Sequence, residues 1–206
     1  MGDIWLIADL HLGHLKLING WDYDGITPSG PRKQFKSLMH MRDEIFTNWE
    51  KVVKPQDKIY VLGDIAWNSD HLQEIAMLPG KKRAVLGNHD DGHAPAYEGV
   101  FDALYGAKTL PGGILLTHIP VHESQLTRGS MQHNIHGHLH DEVMEQLHHD
   151  QWIDHQIYYE GTSIERTVGR FMTQTVKVMH PKYTCVSCEQ VNYTPINLEE
   201  IKAKLK

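Results

Sequence analysis

Five times along this chain a short apolar run stops at a cluster of Asp, Asn and His, and no other feature constrains the fold as tightly. Residues 3–8 lead into Asp9, His11 and His14, and 58–62 lead into Gly63-Asp64. Residues 83–86 lead into Gly87-Asn88-His89-Asp90, 113–116 into Thr117-His118, and 134–136 into Gly137-His138-Leu139-His140. Apolar runs of this length, closed by polar residues and glycine, are those of strands buried on both faces. Open α/β sheets gather their chemistry beyond the carboxyl ends of such strands. The pattern predicts an α/β fold in which strand ends deliver the polar clusters.

The intervening segments fit that scheme. Phe35, Leu38, Ile45, Phe46, Trp49, Val52 and Val53 keep helical spacing, with Arg42 as the exception, and predict a long amphipathic helix ending near Pro55. Residues 69–78 read as a shorter helix closed by Pro79-Gly80. A last helix starts at Asn197 as N-cap, with Glu200 as its capping-box partner and Ile196 facing Ile201 as a staple. Residues 141–182 are rich in His, Gln and Thr and weakly patterned, and read as an excursion, a hairpin with loops, before a strand over 183–189. At 206 residues the chain is long enough for one α/β core and short for two. A single domain over residues 1–206, with 141–182 inserted, is the expectation.

Histidine is the residue in surplus, at 16, and it is the commonest metal ligand. Asp, Asn and His donors without thiolates suit divalent cations such as Mn, Fe or Zn. Asp9, His11, Asp64, Asn88, His118, His138 and His140 are more than one ion needs, and a carboxylate can bridge two ions about 3.5–4 Å apart. The formal net charge of −6 opposes sequence-independent binding to long duplexes, which draws on Lys and Arg neutralising phosphates. No basic leader opens the chain, Leu6 stands where a myristoylation motif wants Ser or Thr, and no apolar run approaches the roughly 20 residues of a membrane span. Cys185 and Cys188 form a lone Cys-x-x-Cys, an incomplete zinc site, and are expected to be plain residues of one strand in a reducing compartment. Cytoplasmic location is expected.

Taken in order, Asp9-Leu-His11, Gly63-Asp64, Gly87-Asn88-His89-Asp90, His118 and Gly137-His138-Leu139-His140 reproduce D-x-H, G-D, G-N-H-[DE], H and G-H-x-H. With these motifs the chain resembles the calcineurin-like metallophosphoesterase superfamily over almost its whole length. It is similar above all to small bacterial and phage members, which share the D-x-H-x-G-H opening and the ending N-Y-x-P-[IV]-x-L-E-E-I, here Asn192 to Ile201. If the chain is phage-encoded, the host cytoplasm is its expected place.

The resemblance implies a four-layer α/β/β/α sandwich holding two divalent transition-metal ions, Mn foremost, with Fe, Zn or Ni as alternatives. It assigns Asp9, His11 and His140 to one ion and Asn88, His118 and His138 to the other, with Asp64 bridging. It implies hydrolysis of a phosphate ester by a hydroxide bridging the ions, with His89 as general acid to the leaving oxygen. Asp90 is expected to hydrogen-bond behind His89 and fix its ring, and Asn88 to help hold the phosphate. His14 is read as a substrate or orienting contact, not a ligand.

Of His133 and His136, at least one should face away from the metals, and His148, His149, His155 and His180 belong to the excursion, a solvated loop or a lid. Trp21, Tyr23 and Trp67 flank the clusters, either as packing or as surfaces on which a base could stack. A small, nucleotide-like phosphomonoester or phosphodiester is the favoured substrate, with no membrane partner. One rival is a nuclease on single-stranded or short nucleic acid, whose basic strip or added binding module is not visible. Another is a non-catalytic scaffold, which the filled ligand positions oppose, because costly polar groups would then be ill-satisfied. Specificity belongs to the loops 19–34, 91–112, 119–132 and 141–182.

Overall fold

Each apolar run contributes a strand to the computed structural model, which describes residues 2–90, 94–127, 131–148 and 176–205. β1 (Ile4–Ile7), β2 (Lys58–Leu62), β3 (Lys81–Val85) and β4 (Ala103–Tyr105) run parallel in one sheet. A second sheet contains β5 (Lys108–Leu110), β6 (Ile114–Leu116), β7 (His133–His136) and β10 (Tyr183–Cys185) in the order β10-β7-β6-β5, with only β5 antiparallel. β11 (Ile196–Asn197) closes the β1 edge of the first sheet, antiparallel. All these strands belong to one unit, Met1–Glu142 with Lys182–Lys206. In the other unit, Val143–Pro181, β8 (Glu145–His148) pairs antiparallel with β9 (Val176–Met179), and the His180 N–H donates to the Met144 carbonyl at 2.8 Å. His180 is buried; His149, His155 and the side chain of His148 lie outside the described residues.

Alternation along β1 and β2 explains why these runs are apolar throughout. Leu6, Tyr60 and Leu62 meet Leu110, Ile114, Leu116 and Ile135 of the second sheet in one cluster. Their neighbours Ile7, Ile59 and Val61 face the opposite way, into a cluster with Met41, Ile45 and Trp49 of the helix Leu38–Val52. Each of these fully buried large side chains contributes roughly 1.5–3 kcal/mol. The result is a two-sheet α/β sandwich of the expected class, buried on both faces of its first sheet.

Element ends depart from the sequence reading for local reasons. The long helix begins at Leu38, after Ser37, whose hydroxyl accepts the His40 N–H at 3.1 Å; Phe35 is buried but precedes it. Residues 69–78 divide into a 3₁₀ turn, Ser69–His71, and a helix, Leu72–Ala76. Asn197 does cap the helix Leu198–Lys204, yet it accepts the N–H of Glu199, not of Glu200. The strand expected over 183–189 stops at Cys185, because the chain then crosses to the first sheet, where Ser187 bridges Ala8 and the Cys188 N–H donates to the Ala8 carbonyl at 3.0 Å. Both cysteines are free thiols. Among the described residues no helix is long and apolar enough to cross a membrane.

Candidate metal centre

The strand ends deliver their polar residues through an unusual backbone. Asp9 (φ 57), His11 (φ 48), Asp64 (φ 51), His138 (φ 72) and His140 (φ 53) all lie in the left-handed region. Residues with a side chain seldom go there, at a cost of about 1–3 kcal/mol each, and such strain gathers at functional sites. Glycine makes the close approach possible. A Cβ on Gly63 (φ 82) would stand 2.5 Å from His118 Nδ1, and one on Gly137 would stand 2.6 Å from Asp9 Oδ2.

Two groups of donors result, either of which could hold a cation: Asp9, His11 and His140, and Asp64, His118 and His138, each with its donor atoms within 4.8 Å of one another. Asp64 touches both. Its Oδ2 is 3.4 Å from His11 Nε2 and its Oδ1 is 3.4 Å from His118 Nε2. Asn88 joins the second group, with Oδ1 2.9 Å from His118 Nε2. Asp9 Oδ1 and His11 Nε2 are buried with no hydrogen-bond partner among the described residues. Thus the seven residues singled out from the sequence lie in one neighbourhood.

Electrostatics prepare the rings for a cation. Burial, helped by the Arg32 charge, lowers His11 to about 2, and burial also lowers His138, so both imidazoles are neutral at neutral pH, the form with a lone pair to give. Burial pushes Asp9 up, against the pull of His118. It opposes ionisation of Asp64 as well, yet the His118 hydrogen bond and charge hold that carboxyl at about 2.

Asp90 does not do what the resemblance implies for it. Its carboxylate is fully buried and accepts the N–H groups of Asp64 (2.9 Å), Ile65 (3.0 Å) and Gly87 (2.7 Å) and the hydroxyl of Tyr97 (2.6 Å). It braces the loops carrying Asp64 and Asn88 and has no bond to the His89 ring. His89 is held through its main chain, whose N–H donates to Asp64 Oδ1 at 3.0 Å, while the ring is 44% exposed with Nε2 4.0 Å from Asp64 Oδ2. His14 is buried and stacks on Trp67 at 3.9 Å between centroids. His133 bonds Thr184 and His136 bonds the Gly137 carbonyl, so neither belongs to the donor groups.

Four residues of the site carried no signal in the sequence. Tyr97 bonds Asp90, Ser187 bonds Asp9, and Arg32 and Glu189 form a buried ion pair at 2.8 Å next to His140. Burial would raise Glu189, but His140 and Arg32 hold it at about 2. None sits in a motif, and a lone Arg or Glu in a loop is ordinarily solvated.

The sequence model of the calcineurin-like phosphoesterase family matches residues 2–178. The Gene 66 protein of Mycobacterium phage D29 is 29% identical over 175 residues, covering 70% of this chain and 81% of that protein. The Gene 66 protein of Mycobacterium phage L5 is 26% identical over 188 residues, covering 72% and 82%. The crystal structure of AQ665, a protein of unknown function from Aquifex aeolicus, aligns with a TM-score of 0.62 at 25% identity, over 98% of this chain and 99% of that one. With the motifs at strand ends and two Asp/His groups able to hold metal, the chain belongs to the calcineurin-like phosphoesterase family, a metal-binding hydrolase of the small phage type.

Proposed function

We propose that this phosphoesterase cleaves a small, nucleotide-like phosphomonoester or phosphodiester with two divalent transition-metal ions, Mn foremost. Asp9, His11 and His140 hold one, Asn88, His118 and His138 the other, and Asp64 lies between them. The observation that carries the reading is the placement of Asp64, one oxygen 3.4 Å from each group's histidine. The donors fit such ions on their own chemistry: oxygen and imidazole nitrogen without thiolate, and in Asp9 Oδ1 and His11 Nε2 two buried atoms that are costly without a partner. His118 is already aimed: its Nδ1 donates to the Leu62 carbonyl at 2.8 Å, which leaves Nε2 facing the Asn88 oxygen and Asp64.

When bound, the ions supply a water acidic enough to attack at neutral pH and positive charge for the phosphoryl oxygens. The chain supplies the rest. His89, off both donor groups and exposed, gives a proton from its ring to the leaving oxygen. Asn88 helps to seat the phosphate. Trp67, 46% exposed and 5.4 Å from the His89 ring, forms a wall for a planar leaving group, with Trp21 beyond His14. The substrate is small, since a net charge of −6 disfavours long duplexes, and the cytoplasm is the place of action in this reading.

Elemental analysis after Mn reconstitution should find two ions per chain; saturation at one or none would end the dinuclear reading. An activity screen of the reconstituted protein over monoesters, diesters and nucleotides then fixes the substrate class. Trp67→Ala should lower kcat/KM for a nucleotide roughly tenfold, within the ~1–3 kcal/mol of one stacked base, and leave an alkyl phosphate near wild type. Equal losses on both would instead give Trp67 the task of holding His14.

A further inference from the structure

The residues that shape the first donor group do not come from the motifs. Ser187 Oγ donates to Asp9 Oδ2 at 2.6 Å, and the His138 main-chain N–H donates to the same oxygen at 2.9 Å. Asp9 is left with one buried oxygen, Oδ1, free of hydrogen bonds. Two residues after Ser187, Glu189 accepts the Nδ1–H of His140 at 2.9 Å. That bond fixes the tautomer, so the lone pair of His140 is on Nε2.

Arg32 stands behind Glu189, fully buried. Its five N–H donors meet five acceptors: Nε and Nη2 bond the two oxygens of Glu189, Nη1 bonds the Leu10 carbonyl and the Met41 sulfur, and Nη2 also bonds the Asp9 carbonyl. One buried cation thereby ties the main chain at Asp9 and Leu10 to the carboxylate that orients His140. The second group is braced by different partners: Leu62 holds His118 Nδ1, and Asp90 holds the Asp64 main chain. Ser187 and Glu189 also lie beyond residue 178, where the family match stops.

We propose, resting on the two-ion reading above, that Ser187, Glu189 and Arg32 are positioning residues that set cation affinity at the group Asp9, His11 and His140 and not at the other. Glu189 keeps the His140 ring turned and more basic, Ser187 keeps Asp9 Oδ1 aimed inward, and Arg32 fixes Glu189. Losing such an orienting partner lowers metal affinity roughly 10–100-fold.

Mn(II) binding, followed by the paramagnetic resonance of the free ion, tests this in two single-group backgrounds. His138→Ala disables the second group and His140→Ala the first. Added to His138→Ala, Glu189→Gln should weaken Mn(II) binding roughly 10–100-fold; added to His140→Ala, it should leave binding unchanged. Ser187→Ala, which spares the Arg32–Glu189 pair, should give the same one-sided loss and decides the matter if Glu189→Gln does not fold. Equal losses in both backgrounds, the mark of a merely structural role, would overturn the assignment, as would no loss in His138→Ala. The wild-type stoichiometry, read in the same titration, tests the two-ion reading separately. One ion per wild-type chain, with the one-sided loss intact, would sink that reading and leave these positioning roles standing.

Discussion

Asp64→Asn is expected to lower kcat/KM beyond the roughly 10–100-fold typical of losing an orienting partner, because it removes the one charge that both donor groups share. The exchange is nearly isosteric, so the effect is electrostatic. Asp64 is 3% exposed, and each of its oxygens faces a histidine of a different group. An asparagine has one acceptor to offer and must turn an NH₂ toward one of the two donor groups, where it cannot serve as a ligand. The fold should survive, since the tie from this residue to Asp90 runs through its main-chain N–H. Metal content and kinetics are measured together. Two ions retained with activity within tenfold of wild type would remove Asp64 from between the ions, whereas loss of both ions and activity would agree with it.

His89→Asn should act on the leaving group alone. A general acid is worth typically about 10²–10⁴ in rate where the departing oxygen is basic, and little where it is already acidic. The variant should therefore lose roughly that factor on an alkyl phosphate or nucleotide ester and far less on a nitrophenyl ester, with both metals kept. The geometry makes the test clean: the ring is 44% exposed and outside both donor groups, and the bond to Asp64 Oδ1 is made by the main-chain N–H, which any side chain retains. An equal loss on the two substrates would give His89 a charge-stabilising role in the transition state instead of proton transfer.

The positions of these two residues were legible in the sequence because parallel strands repeat one gesture, an apolar run that releases its polar residues at the carboxyl end, while their proposed roles rest on the resemblance. Asp9, Asp64 and His118 each follow a strand after one intervening residue, so the strand pattern places them. Asp90 departs from what the resemblance implies for it. Its neighbour points outward while its own carboxylate turns inward to the amides of Asp64, Ile65 and Gly87. The 183–189 segment departs too: its pattern suits a strand throughout, but after Cys185 the chain pairs with Ala8 of the other sheet. Arg32 and Glu189 left no trace at all. Their meaning is a separation of 157 residues closed by tertiary structure, and no local pattern records it.

The bond from Ser187 to Asp9 spans 178 residues. Contacts so distant form slowly, and a unit built from both ends of the chain cannot close until its tail has been made. Asp9, among the earliest of the candidate ligands to be made, therefore waits for Ser187 and Glu189 before its donor group is complete. A chain made only as far as residue 186 holds every candidate ligand of both groups and neither Ser187 nor Glu189. The proposed supports of the first donor group are thus the last part of the centre to be made, and a chain cut short before them also lacks Cys188, Leu198 and Ile201 of the core.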